Sequence, residues 1–530
     1  MVNILRTKCY EHRVLLGIAA VASLAVLVGT MKFGPGQSPD SIQYLSTAIN
    51  MVNGRGAIDY SGSPLTNFPL GESTLIALGL LMGLKASVWI LICNSISAFI
   101  STICSYALCK SLGANKKFSL CMALFISLCN AYLYVNSWMW SESLFILFST
   151  SSLLLIQRYC HSPSNFLIIG LSVLIFFSFT FRYIGITLVP TMLLSILLKA
   201  EFDKSKVREL VKVSLACLVL PAIYCYWNYS RAGVVFGYRV SGVENLKSTI
   251  KSFILGISNL FLPSKGEYFY FLIAVIFILV AVALVKSTLT SRRISIVTFS
   301  EINLTVIYSY AFFYILTLLI LELTSSLDQV DMRLLAPVSL ELFLIGFKLL
   351  KKFSLLFSFQ LLLPEIIFLV LSLSVVSSQC ISDVSLIKSE IKNGILPKEV
   401  LTSNQTRYLS LIKKLSSNYN IMSNSPEWIW ANDHSIMIQM SPQKTWYRSF
   451  ETYTFPIAFR DYVACKKEIV LAWMPSSDWF YTPEVLRNYV KLRIIYNDSF
   501  GYYIYKVTSN DKPSLNNCTS LNSSSWAPQS

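Results

Sequence analysis

The segments SVWILICNSISAFISTICSYALC (87–109) and KFSLCMALFISLCNAYLYV (117–135) are two apolar runs joined by a short turn that holds Lys110, Lys116 and Lys117. Each is close to the roughly 20 residues that an α-helix needs to cross the hydrocarbon core of a bilayer. The basic turn marks the side on which the two runs meet. Comparable runs lie at 14–30, 139–157, 165–181, 184–199, 211–227, 268–286, 298–322, 334–350 and 353–378, which makes eleven expected crossings. Residues 72–84 are too short to cross and read as a helix lying at the outer surface.

Composition agrees with this reading. The 530 residues are 54% apolar and 14% charged, with a mean hydropathy of +0.56, whereas a soluble chain carries about 25% charged residues. A cytosolic globular protein and a disordered chain are both excluded, leaving a polytopic membrane protein. The formal charge of +16 would raise nucleic acid as a partner in a soluble protein. Its location removes that partner. Sixteen Lys and Arg after residue 378 are nearly balanced by 12 Asp and Glu, and most of the remaining excess sits in short clusters between apolar runs.

With a cytoplasmic N-terminus, 18 Lys and Arg gather in the inside loops: Arg6, Lys8 and Arg13, the 110–117 turn, Arg158, the 199–212 connector, Lys286 to Arg293, and Lys348 to Lys352. The outside loops are longer and poorer in them. The positive-inside rule therefore predicts N-terminus in and C-terminus out, in the inner or plasma membrane of the cell. The run at 14–30 lacks a small-residue cleavage site after it and is read as a retained span rather than a signal peptide.

Three outside segments are too long to be simple connectors: 31–86, 228–267 and everything after 378. Residues 1–378 are expected to form the membrane domain, 379–508 a small extracytoplasmic α/β domain, and 509–530 a polar disordered tail. Within the α/β domain the patterning predicts a helix from Leu401 to Leu415 and strands at 468–473 and around RIIYND and YYIYKV, with Phe500 and Gly501 turning a hairpin. Nine of the 12 cysteines fall in spans or inside loops without metal spacing. Cys380, Cys465 and Cys518 lie outside, and a Cys465 to Cys518 bridge is left open. The three histidines are scattered, and no HExxH, Walker A, GxSxG or dinucleotide-binding glycine motif in its proper context is present.

Chemistry is sought instead among charges at the outer membrane face, where ionisable groups often mark a substrate site. They are Asp40, Asp59 and Glu72 in the first loop, Glu142 at the start of the fourth run, Arg182 between the fifth and sixth, and Asp328, Asp331 and Arg333 before the tenth. Taken singly, each reads first as a charge in the headgroup region. Their surroundings change that. The first loop runs SPDSIQYLSTAINMVNGRG (38–56) and then GSPLTNFPLGESTLIAL (62–78). It resembles the first outer loop of GT-C glycosyltransferases, in the protein O-mannosyltransferase and aminoarabinose transferase branch that uses polyprenyl-phosphate sugar donors. WSESLF (140–145), FRYIGITLVP (181–190), DMRLLAPV (331–338) and SNSPEWIW (423–430) are similar to further segments of that family, in its order. Ser41 departs from the pattern, since many members carry an Asp-Glu pair where this chain has Asp40 and Ser41.

The resemblance implies a polytopic α-helical membrane protein with a GT-C-like fold of about eleven helices. It would be an integral membrane glycosyltransferase (hexosyl or pentosyl) that passes a sugar from a polyprenyl-phosphate donor to a lipid, glycan or protein acceptor outside. Asp40 is the candidate catalytic base and Glu142 the second acid, positioning the acceptor or tuning its neighbour. Arg182 and Arg333 are candidates for the donor phosphate, whose oxygens suit the planar guanidinium fork. The matched motifs add Tyr44 and Asp331 as substrate-binding. Asp59, Glu72, Arg231 and Arg239 rank below these. No cofactor is assigned beyond the polyprenyl-phosphate sugar as co-substrate, and use of a divalent cation is left open. An O-antigen ligase or polymerase is the nearest rival enzyme; a transporter or flippase is the rival of another class.

The orientation has a direct check. In a cysteine-free background, single cysteines at Lys247 and Ser425 should react with an impermeant thiol reagent, and cysteines at Lys116 and Arg292 should not; the opposite pattern would invert the topology.

Overall fold

The computed structural model describes residues 2–31, 34–36, 38–59, 63–199, 203–237, 246–261, 299–325 and 330–356, together with 428–431, 469–473, 487–488, 490–497 and 503–509. The chain divides into two compact units. The first takes Met1–Gly36, Thr66–Glu72 and Ser87–Ile395, and the second takes Gln37–Leu65, Ser73–Ala86 and Leu396–Ser530.

The first unit is helical. It contains α1 (Val2–Thr30), α4 (Ala86–Ser111), α5 (Lys116–Leu128), α6 (Asn130–Asn136), α7 (Glu142–His161), α8 (Asn165–Phe181), α9 (Leu188–Leu197), α10 (Lys204–Ala232), α11 (Leu246–Phe261), α12 (Phe299–Thr324), α13 (Met332–Leu335) and α14 (Ser339–Leu356). Between α1 and α4 come α2 (Pro39–Val52) and α3 (Gly71–Leu81). Breaks follow the sequence chemistry. Asn115 caps α5, Ser164 caps α8 and Asp203 caps α10, each side chain accepting the backbone N–H three residues on. α10 ends at Gly233, whose φ of +70° is the left-handed conformation that favours glycine.

Among the described residues, five helical stretches are long and apolar enough to cross a membrane: Glu11–Thr30, Ala86–Ser111, Glu142–His161, Lys204–Ala232 and Glu301–Thr324. A sixth follows if α5 and α6, bent by 51° at Cys129, are one span. This is fewer than the eleven crossings expected, for identifiable reasons. The run at 268–286, and that at 353–378 beyond residue 356, lie outside the described residues. The run at 165–181 becomes a helix of only 17 residues. The run at 184–199 is broken into a 3₁₀ turn (Tyr183–Thr187) and the 10-residue α9. α14 carries Glu341, Lys348, Lys351 and Lys352 within its 18 residues. The surface helix expected at 72–84 corresponds to α3.

α7 lies at the centre of the first unit, packed against α8, α9 and α12. Its two ends are tied differently. At the C-terminal end the Asn303 side-chain amide donates to the Ser111 carbonyl at 2.8 Å, its Oδ1 lies 2.8 Å from His161 Nε2, and Gln157 donates to the Asn303 carbonyl at 3.2 Å. Lys348 Nζ reaches the Leu112 carbonyl at 2.7 Å. These bonds gather the ends of α4, α7 and α12, with a side chain from the middle of α14, on one side. The start of α7, the end of α8, the end of α10 and α13 therefore share the opposite side.

In the second unit, α2 opens with a capping box in which Ser38 and Ser41 satisfy each other's backbone N–H groups. Ser41 is thus a buried structural residue. The turn after α2 is closed by Asn50, whose amide donates to the Ile58 and Asp59 carbonyls at 3.0 and 3.1 Å. Four strands, β1 (Trp428–Ala431), β2 (Ile469–Trp473), β3 (Val490–Asn497) and β4 (Tyr503–Ser509), form a sheet in the order β1-β2-β4-β3. β1 and β2 are parallel, and the other pairings are antiparallel. Three of the strands lie where alternation predicts them, and β1 overlaps the end of the segment 423–430. The expected helix at 401–415, the hairpin turn at Phe500 and Gly501, and Cys465 and Cys518 lie outside the described residues.

One glycine is decisive for the first unit. Gly36 exchanges backbone hydrogen bonds with Ser137 and Met139, and a Cβ there would stand 2.7 Å from the Trp138 ring. Gly36→Ala should lower stability in detergent by about 1 to 3 kcal/mol through overpacking. Gly17→Ala, at a helical position with no atom within 4 Å, should be neutral or stabilising by up to about 1 kcal/mol. Equal melting temperatures for the two variants would refute this packing.

Candidate functional site

The site is built on the corner that precedes α7. α4 holds that corner with side chains from the middle of an apolar run. Asn94 donates to the carbonyls of Asn136 and Trp138 at 2.9 and 2.8 Å, and Ser97 donates to the Ser143 carbonyl at 2.7 Å. The Ser143 hydroxyl in turn donates to Asn136 Oδ1 at 2.6 Å. Backbone groups left unpaired at membrane depth cost several kcal/mol each, so buried amides and hydroxyls fix the corner where apolar side chains could not. The corner also stacks Trp138 on Trp140, with centroids 4.4 Å apart and planes 13° from parallel. Tyr134 stands edge-on to both rings.

Glu142 is the first residue of α7 and its side chain is fully buried. Two arginines from distant parts of the chain meet it. Arg182 follows α8 in extended backbone, φ −146° and ψ 129°. The chain turns just after it because Gly185 lies against the backbone of Ser178 and Phe179, where a Cβ would come within 2.6 Å of the Ser178 carbonyl carbon. Arg333 sits in α13, a single turn capped by Asp331, which accepts the Leu334 N–H at 3.1 Å. The Tyr314 hydroxyl donates to the Leu334 carbonyl at 2.8 Å and pins that turn to α12.

Arg182 Nη1 and Arg333 Nε both reach Oε1 of Glu142, the latter at 2.5 Å. The Arg333 guanidinium also lies over the Trp140 ring, 4.0 Å from its centroid, a cation–π contact. The arginine side chains are 20% and 14% exposed while the carboxylate is not exposed at all. Within the trio two cations meet one anion, and the cations rather than the anion are the partly exposed members. Planar guanidiniums match phosphate oxygens in geometry.

The structure thus brings Glu142, Arg182 and Arg333 together from three motifs. Glu142 stands as the holder of the two arginines. Arg333 pairs with Glu142 rather than with Asp331; Asp328 lies outside the described residues. Asp331 is at the surface and acts as a helix cap. Asp40 and Tyr44 belong to the second unit, one turn apart on α2, with Asp40 partly buried and Tyr44 buried. Asp59 shapes its own turn, its Oδ1 accepting the Ser63 N–H at 3.2 Å. Reading the chain for charge overlooks Trp140, Asn94 and Ser97. The available signals were the tryptophan two residues before Glu142 and polar residues inside a spanning run. Among the described residues no three His, Cys, Asp or Glu side chains converge to hold a metal ion.

No protein-family model and no curated protein matches the sequence. Solved structures do. ArnT from Cupriavidus metallidurans in the apo state aligns with a TM-score of 0.57 at 12% identity, over 92% of this chain and 97% of that one. The same protein bound to undecaprenyl phosphate gives 0.55 at 11% identity with the same coverage. The Archaeoglobus fulgidus oligosaccharyltransferase gives 0.52 at 11% identity, over 93% of this chain and 72% of that one. These likenesses show the fold, which agrees with the GT-C-like fold expected from the motifs.

Glu142→Gln would leave two guanidiniums crowded without their shared anion. It should cost about 3 to 5 kcal/mol of stability, the usual penalty for breaking a buried ion pair. Asp331→Ala, which removes a cap, should cost about 1 kcal/mol. Denaturation in detergent compares them, and an equally small loss in both would show that the trio is not load-sharing.

Proposed function

We propose that this chain is an integral membrane glycosyltransferase that takes a sugar from a polyprenyl-phosphate donor and passes it to a lipid, glycan or protein acceptor on the outer face of the membrane. The observation that carries the proposal is the convergence of Arg182 and Arg333 on one buried carboxylate. It lies in a fold shared with a protein crystallised with undecaprenyl phosphate. The lysine-rich turn at 110–117 falls on the side of the Asn303 ties, and under the positive-inside rule this supports reading the trio as outward-facing.

In this reading the arginines take the phosphate of the lipid-linked sugar. As the bond between the anomeric carbon and the phosphate oxygen breaks, that oxygen keeps the electron pair, and the guanidiniums offset the charge that develops on it. Trp140 and Glu142 hold Arg333 in place, so little reorganisation is needed as the charge grows. Asp40, assigned from its motif, takes the proton of the acceptor hydroxyl as the new glycosidic bond forms. Tyr44 and Asp331 are assigned to substrate contacts on the same motif grounds. The C-terminal segment 379–508 is proposed as an outer α/β domain.

The test uses purified protein with a defined polyprenyl-phosphate sugar and mass spectrometry of the products. Asp40→Asn should slow transfer by about 10²- to 10⁴-fold, the usual worth of a positioned general base, with unchanged melting in detergent. Arg182→Lys and Arg333→Lys should each weaken use of the lipid donor, since lysine keeps the charge and loses the fork. Movement of labelled substrate across proteoliposomes without covalent product would replace this reading by transport.

A further inference from the structure

A seven-residue piece of the first loop, Thr66–Glu72, belongs to the helical unit. Three contacts hold it there. The Tyr183 hydroxyl donates to the Thr66 carbonyl at 3.0 Å, and the Leu70 N–H donates to the Tyr224 hydroxyl at 2.9 Å. Gly71 lies flat against the chain just before Arg182, where a Cβ would meet the Thr180 carbonyl oxygen at 2.5 Å and the Phe181 ring at 3.0 Å. Tyr183 is itself fixed by Asn228 of α10, whose amide donates to the tyrosine oxygen at 2.9 Å.

The residue delivered by this clamp is Glu72. Its side chain is fully buried, and neither carboxyl oxygen makes a hydrogen bond among the described residues. Among the described residues, the Glu142 carboxylate on α7 and the Cys93 thiol on α4 interact with it electrostatically. Both of these fail to stabilise a negative charge on Glu72. Buried carboxyl groups without partners are rare in native proteins and ask for an explanation. Here the unpartnered group follows directly on a residue packed against Thr180 and Phe181, within electrostatic reach of the carboxylate that both arginines grip.

We propose that Glu72 is a further substrate contact of the site, donating a hydrogen bond from its carboxyl group to the lipid phosphate held by Arg182 and Arg333. Burial raises this carboxyl above its ordinary range, and the Glu142 carboxylate pushes the same way, so the surroundings favour the protonated form over the charged one. A protonated carboxyl is a donor, which a phosphate oxygen can satisfy and a carboxylate could only repel. The inference rests on the donor reading above and gives that site a third contact with a neutral group.

The experiment compares wild type, Glu72→Gln and Glu72→Leu for binding of undecaprenyl phosphate by native mass spectrometry, with infrared spectra at neutral pH. The amide of Glu72→Gln donates as the neutral acid does, so binding should stay within about threefold of wild type. Glu72→Leu should lose about tenfold to a hundredfold, as expected for a hydrogen bond to a charged group. The protonated-carboxyl stretch assigned to Glu72 should be present in wild type and missing from Glu72→Gln. Weakening of Glu72→Gln by tenfold or more, wild-type binding by Glu72→Leu, or no such band in wild type would each overturn the proposal. If Glu72→Leu fails to fold, Glu72→Gln and the infrared band decide. Wild-type protein that binds undecaprenyl phosphate with this dependence yet transfers no sugar would sink the transfer reading alone. Wild-type protein that binds none would sink the phosphate contact with it.

Discussion

A carboxylate with no water around it must be paid for by cations, and in the helical unit that requirement is met by Arg182 and Arg333 converging on one oxygen of Glu142. The trio joins the start of α7, the end of α8 and the short α13, parts separated by up to 191 positions in the chain. Removing Glu142 would leave two largely buried guanidiniums side by side without their shared anion, which is far worse than never having placed them there. The arrangement is therefore self-enforcing. Each helix end is held where the others need it.

Much of the remaining architecture serves to place those three side chains. Asn94 and Ser97 spend their hydrogen bonds on the corner before Glu142 rather than on a ligand. Trp140 lies under the Arg333 guanidinium, which limits the rotamers of a long side chain. Gly185 turns the chain sharply after Arg182. A guanidinium so supported is a fixed charge rather than a mobile surface one.

The helices and most strands were legible because apolar length and alternation are local signals. The runs at 87–109 and 139–157 became α4 and α7 nearly at the boundaries read from composition. The motif charges Glu142, Arg182 and Arg333 were found for the same reason: charge at a span end is visible in one dimension. Their mutual pairing was not, because nothing in sequence states that residues 142, 182 and 333 converge. Arg333 had an aspartate two residues away as its obvious partner, and that aspartate caps a helix instead. Of the eleven crossings expected, five or six are long and apolar enough among the described residues, and the run at 184–199 gives no local sign that Gly185 packs it against α8. Glu72 was seen as one more loop acid, and only its burial sets it apart.

Gly36, Gly71 and Gly185 share a property that bears on how any saturation mutagenesis of this chain should be read. Each sits where backbone or ring atoms occupy the space a side chain would need. In a scan scored on activity they would rank beside the arginines, although a glycine has no side chain to offer a substrate. Depth of intolerance would then map the contact surfaces of the main chain as faithfully as it maps chemistry. Alanine at such a position adds bulk, whereas alanine at an arginine removes a charge, so identical scores would report opposite physical events.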